Sequence, residues 1–92
     1  MSYFYKDPKL EFKKVNFNNN EYLYIKIEDP NFTEKELENS WVYVELKNFY
    51  MLKEGKNLIL GNHIGRVYTL SAYNESMINK WSEEIKNVIG FP

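Results

Sequence analysis

The chain has no cysteine, a single histidine (His63), a single arginine (Arg66) and only four glycines. Without cysteine there is neither a disulfide framework nor a thiolate metal site, which fits a reducing, cytoplasmic setting. With one histidine and no thiol, only carboxylates remain as ligands, and these suit hard cations alone. Asp29, Glu34, Glu36 and Glu38 lack the Asp/Asn/Gly spacing of a calcium loop and read as charges flanking a helix. His63 sits in a Gly-Asn-His-Ile-Gly turn, where a surface-loop role outweighs that of a base. Gly61 and Gly65 read as turn residues, and no glycine loop exists to cradle phosphate. Catalysis, a metal and a cofactor are therefore not expected. No apolar run approaches the roughly 20 residues of a membrane-spanning helix, and no secretory signal is visible. No glycine follows Met1 to take a myristoyl group. The formal charge of -1 argues against general nucleic-acid binding, which calls for a clearly basic surface.

What the chain does have is aromatic bulk: eight Tyr, six Phe and two Trp in 92 residues, read as one domain over 1–92. Such side chains bring much core volume and favour strands. Twelve Asn and eleven Lys point to AT-rich codons, as in a protist or a low-GC bacterium.

Turn signals recur at short intervals, which predicts an antiparallel meander. The strands expected are Tyr3–Lys6, Glu11–Phe17, Glu21–Glu28, Trp41–Lys47, Phe49–Lys53, Asn57–Gly61 and Arg66–Tyr73. Asp7-Pro8 ends the first, and Asn18-Asn19-Asn20 suits a tight hairpin after the second, since Asn tolerates left-handed backbone. Glu21–Glu28 has the clearest period: Leu23, Ile25 and Ile27 face one way, and Tyr22, Tyr24, Lys26 and Glu28 the other. In the fourth, Val42, Val44 and Leu46 oppose Trp41, Tyr43 and Glu45. Thr33 and Glu36 form a capping box that predicts a short helix over Glu34–Asn39.

After the last strand, Met77, Ile78, Trp81, Ile85, Val88 and Ile89 recur at spacings of three and four, one apolar stripe of a helix. Asn74 is its expected N-cap, and Gly90 with Pro92 its stop. One stripe cannot bury itself, so the strands must present a curved apolar surface to receive it, with Trp81 as a structural plug. The expected fold class is mainly β with one C-terminal helix, seven antiparallel strands curling into a barrel or orthogonal sandwich capped by that helix. The chain length leaves no room for parallel crossovers.

The run Arg66-Val67-Tyr68-Thr69-Leu70-Ser71-Ala72, then Asn74-Glu75, Trp81 and Ile85, resembles the last strand and tryptophan-bearing helix of the pleckstrin homology (PH) family. Phe12-Lys13-Lys14-Val15-Asn16-Phe17 and Glu21-Tyr22-Leu23-Tyr24-Ile25-Lys26 are similar to its second and third strands. The resemblance implies a seven-stranded barrel capped by a helix, no catalysis, and a binding role toward phosphoinositide headgroups or proteins. Among small PH-like groups, the Asn/Lys-rich composition is compatible with the acylated inner-membrane-complex proteins of apicomplexan parasites, which use the PH-like domain for protein contacts.

In lipid-binding members, cationic residues on the first strands meet clustered phosphates. Here the matching positions give Lys6, Lys9, Lys13, Lys14 and Lys26, with Tyr24, as the candidate anionic-lipid site. Val15 stands where the pattern asks for a basic residue, and no arginine is present there to grip phosphate with two parallel bonds. What remains is attraction to an anionic leaflet, about 1 kcal/mol per well-placed lysine. Tyr22, Trp41 and Tyr43 lie opposite the apolar alternation and are the candidate protein-binding residues, because such side chains anchor interfaces. The expected role is a non-catalytic docking module at a membrane, mainly through protein contacts with anionic-lipid help. A phosphoinositide-reading PH domain is the alternative.

Overall fold

The computed structural model describes residues 2–28, 41–63 and 65–90. Among these the chain forms β1 (Ser2–Lys6), β2 (Lys9–Phe17), β3 (Asn20–Glu28), β4 (Trp41–Glu45), β5 (Tyr50–Glu54), β6 (Asn57–Gly61), β7 (Val67–Ser71) and α1 (Glu75–Ile89). The short helix expected over Glu34–Asn39 lies outside the described residues, as do Asp29 and the carboxylates of that segment. All seven expected strands are present, with ends shifted by up to two residues.

The strands build two sheets, ordered β1-β7-β6-β5 and β2-β3-β4. Among the described residues no ladder joins one sheet to the other, so the sheets do not close into a barrel. The purely antiparallel expectation also needs correction: β1 runs parallel to β7, with Ser2 opposite Val67 and Lys6 opposite Ser71. A parallel pair normally needs a dedicated crossover, but here the whole domain between the first and last strands is the connection.

Local chemistry explains the corners. Asn18 and Asn19 both take positive φ, 51° and 66°, and close the β2–β3 hairpin in two residues with Phe17 opposite Asn20. This backbone matches the natural twist of paired strands. Between β1 and β2 the chain leaves one sheet for the other at Asp7, whose φ is 46° and whose N–H donates to the Ser71 carbonyl at 2.8 Å. Proline at the next position removes a donor that would have extended either ladder.

The core lies between the sheets. Leu23, Ile25, Ile27 and Val44 come from one sheet, and Leu58, Leu60, Tyr68 and Leu70 from the other. Helix α1 contacts β2 of the first and β6 of the second, so it seals the gap that the missing ladders leave. It inserts Ile78, Trp81 and Ile85, all buried. Its ends follow the sequence: the Asn74 side chain accepts from the Met77 N–H at 2.9 Å, and Gly90 takes left-handed φ of 78° while donating to the Lys86 carbonyl at 3.0 Å.

The stripe differs in one place. Met77 is exposed, and Ser82 is fully buried instead. Ser82 is four residues after Ile78 and three before Ile85, nearer the middle of the buried face than Met77. Among the described residues its hydroxyl has no hydrogen-bond partner. Burying an unpaired polar group costs free energy, so Ser82→Ala is expected to raise stability by about 1 kcal/mol in urea unfolding. A drop in stability would mean that the hydroxyl is satisfied after all.

Candidate functional site

Alternation along β2, β3 and β4 decides what the outer face of the three-stranded sheet carries. Because Leu23, Ile25 and Ile27 are turned inward, Tyr22, Tyr24 and Lys26 must face out. Register then sets their neighbours. Tyr24 lies between Lys13 on β2 and Tyr43 on β4, Lys26 between Glu11 and Trp41, and Tyr22 between Val15 and Glu45.

The rings form a continuous ladder. Tyr24 stacks on Trp41 with centroids 4.8 Å apart and leans on Tyr43 at 4.6 Å, while Tyr22 meets Tyr43 edge to face at 6.5 Å. The Lys26 ammonium stands 5.2 Å above the Trp41 ring. Packing among the rings raises the Tyr24 pKa above that of a free phenol, and the neighbouring Tyr43 hydroxyl adds to the shift, so Tyr24 stays neutral at physiological pH.

These rings are only partly covered. Phe17 is 64%, Tyr43 57% and Trp41 42% exposed. Phe17, Val15, Tyr22 and Tyr43 also line a shallow groove of about 360 Å³ at the hairpin end of the face. Cross-strand aromatic pairs contribute roughly 0.2–1 kcal/mol each to a sheet. That gain accounts for the packing of Tyr22, Tyr24, Tyr43 and Trp41 on one another, but not for the exposure of Phe17 beside them. Neighbouring exposed rings are the mark of a surface that a partner covers. Sequence reasoning had named Tyr22, Trp41 and Tyr43; it missed Phe17 and Val15, whose position opposite the tyrosines depends on the two-residue turn.

The six residues of the candidate lipid site do not converge. Lys6 is on β1, in the other sheet. Lys14 pairs with the buried Leu23, so alternation turns it from the aromatic face, and it forms an ion pair with Glu21. Lys26 is bonded to Glu28 at 3.3 Å. Lys9, Lys13 and Lys26 share the aromatic face with Tyr24, interleaved with Glu11 and Glu28. Each cation thus has a carboxylate nearby, and the face presents alternating charge with no cationic bowl.

A second polar cluster was not foreseen from sequence. At one mouth between the sheets, a cavity of about 290 Å³ is lined by Tyr43 and Val44 of β4 and by Asn62, Gly65, Arg66 and Tyr68. Tyr3 stacks on Tyr68 at 5.4 Å, and the Arg66 guanidinium lies 5.6 Å from the Tyr3 ring centre. A hydrogen bond to the Tyr68 hydroxyl raises the Arg66 pKa beyond its already high value. His63 lies in the β6–β7 loop with left-handed φ of 68° and its ring against Tyr50 at 4.5 Å, an exposed loop residue. Among the described residues no group of three His, Cys, Asp or Glu side chains is placed to hold a metal, and no helix is long and apolar enough to cross a membrane.

Comparison with known proteins finds no matching family model, no matching curated protein and no matching solved structure.

Proposed function

We propose that this chain is a non-catalytic docking module that binds a protein partner through the outer face of its three-stranded sheet and works at a membrane surface. One observation carries the proposal: Tyr22, Tyr24, Tyr43 and Trp41 form a connected row of rings on a single face, Phe17 lines a groove beside Tyr22 and Tyr43, and Phe17, Trp41 and Tyr43 are well exposed. Rigid aromatic side chains lose little entropy on binding and bury large areas, which is why they anchor interfaces. The seven strands in two sheets, with a C-terminal helix packed against both, support a PH-like origin for the fold.

Membrane proximity rests on Lys9 and Lys13, which extend from the same sheet face. Their pull on an anionic leaflet is about 1 kcal/mol each and is screened by salt. Co-sedimentation with phosphatidylserine vesicles is therefore expected to be weak and to vanish as ionic strength rises. Saturable binding to one phosphoinositide isomer, with none to phosphatidylserine, would replace this proposal by headgroup reading.

The protein arm is tested with the pair Trp41→Ala and Tyr43→Ala. Each truncation at an anchoring ring is expected to weaken capture of the partner about tenfold or more. Circular dichroism and melting should change little, because both rings lie outside the core. Unaltered capture with both rings removed would rule the face out.

A further inference from the structure

We propose that the mouth between the two sheets is a binding site for a phosphate monoester, with Arg66 as its anchoring cation. The site is separate from the ladder of rings, although Tyr43 borders both.

Arg66 is the only arginine in a chain that uses lysine eleven times. A planar guanidinium offers five N–H donors in a fixed fork suited to phosphate oxygens, which an ammonium cannot match. Here the fork is held in place before any ligand arrives. The guanidinium carbon stands over the Tyr3 ring, 5.6 Å from its centre. Tyr3 is in turn stacked on the buried Tyr68, so the ring beneath Arg66 is held in place. Preorganisation of this kind lowers the ordering cost of binding.

The electrostatics favour an anion as well. Among the described residues, none that lines the cavity is acidic and Arg66 forms no ion pair. Lys14 and Lys26 are paired with carboxylates, whereas Arg66 faces phenol rings. A phosphate monoester carries between one and a half and two negative charges at neutral pH, more than one carboxylate brings to the same fork. Tyr43, Val44 and Tyr68 supply apolar wall for the organic part of the ester, and Asn62 adds a carboxamide at the rim. A mixed wall with one fixed charge is the usual make-up of a small-ligand site.

The source of the phosphate is either a soluble monoester or a lipid headgroup, and both present the same terminal group. The test follows the Arg66 side-chain N–H and the nearby backbone amides by NMR. Glycerol 3-phosphate is titrated in one arm, and phosphatidylcholine vesicles containing phosphatidic acid in the other. Saturable shifts confined to Arg66, Tyr68 and Asn62 are expected in at least one arm. Arg66→Lys should weaken them about tenfold, and Arg66→Gln should abolish them. Arg66 is exposed, so both variants are expected to fold, which a melting curve checks. Saturation only with vesicles identifies a headgroup, and saturation with the soluble ester identifies a free ligand; either supports the site. Shifts that rise linearly without saturating, or that persist in Arg66→Gln, overturn it.

Discussion

Replacing Trp81 with alanine is expected to remove between about a third and all of the domain's stability at room temperature. The indole is 5% exposed, in a helix that contacts one strand from each sheet. No ladder among the described residues ties the sheets together, so the shared apolar core, to which the helix adds Ile78, Trp81 and Ile85, holds them to each other. Removing a buried tryptophan forfeits transfer free energy and leaves a cavity, about 3–5 kcal/mol together. A domain of this size holds a total stability of roughly 5–10 kcal/mol. Trp81→Phe, which retains a ring, is expected to lose far less and to keep a cooperative urea transition. An alanine variant with wild-type stability would mean that the sheets hold each other without the helix.

The second large effect is expected at Gly61, and for a reason unrelated to backbone freedom. Gly61 pairs across the ladder with Tyr50, whose ring lies over it. A Cβ placed there would meet the Tyr50 hydroxyl oxygen at 2.6 Å and ring carbons at 2.7 Å and 2.9 Å. The ring cannot simply slide away, since it also rests against His63. Gly61→Ala is therefore expected to cost about 1–3 kcal/mol through overpacking. The same change in a Tyr50→Ala background should cost much less, and that non-additivity in a double-mutant cycle is the signature of a clash. Equal losses in both backgrounds would mean that the Tyr50 ring is not the cause, since backbone entropy alone would favour alanine.

The elements that sequence revealed are those with local causes. The alternation of Leu23, Ile25 and Ile27, the Asn18-Asn19 turn, the Asn74 cap and the Trp81-centred stripe each depend on residues within a few positions of one another. Structure departed from expectation where the cause is distant. The parallel pairing of β1 with β7 joins the two ends of the described fold, and nothing in Ser2–Lys6 encodes which strand it will meet. Gly61 resembled a turn residue because its partner ring is eleven positions away. Ser82 displaced Met77 because the centre of a buried stripe is set by what the helix packs on, not by polarity alone.

The candidate surfaces divide in the same way. Outward placement of Tyr22, Trp41 and Tyr43 follows from period two and was legible. The lysines were legible as a cluster along the chain but not in space, because consecutive residues such as Lys13 and Lys14 turn to opposite faces. Arg66 had one available signal, its solitude among lysines. Its meaning emerged only when Tyr3 and Tyr68, from the first and last strands, came to stand beside it.

The most direct measurement of the docking proposal is site-specific photo-crosslinking in an extract of the source cells. A photoreactive phenylalanine analogue is placed at Phe17 or Tyr43 on the aromatic face, and at Tyr73, which is 80% exposed before α1, as a control. The expected result is one discrete adduct from Phe17 and Tyr43, competed away by unlabelled wild-type protein but not by the Trp41→Ala, Tyr43→Ala double variant. Adducts from Tyr73 with none from Phe17 or Tyr43 would contradict it.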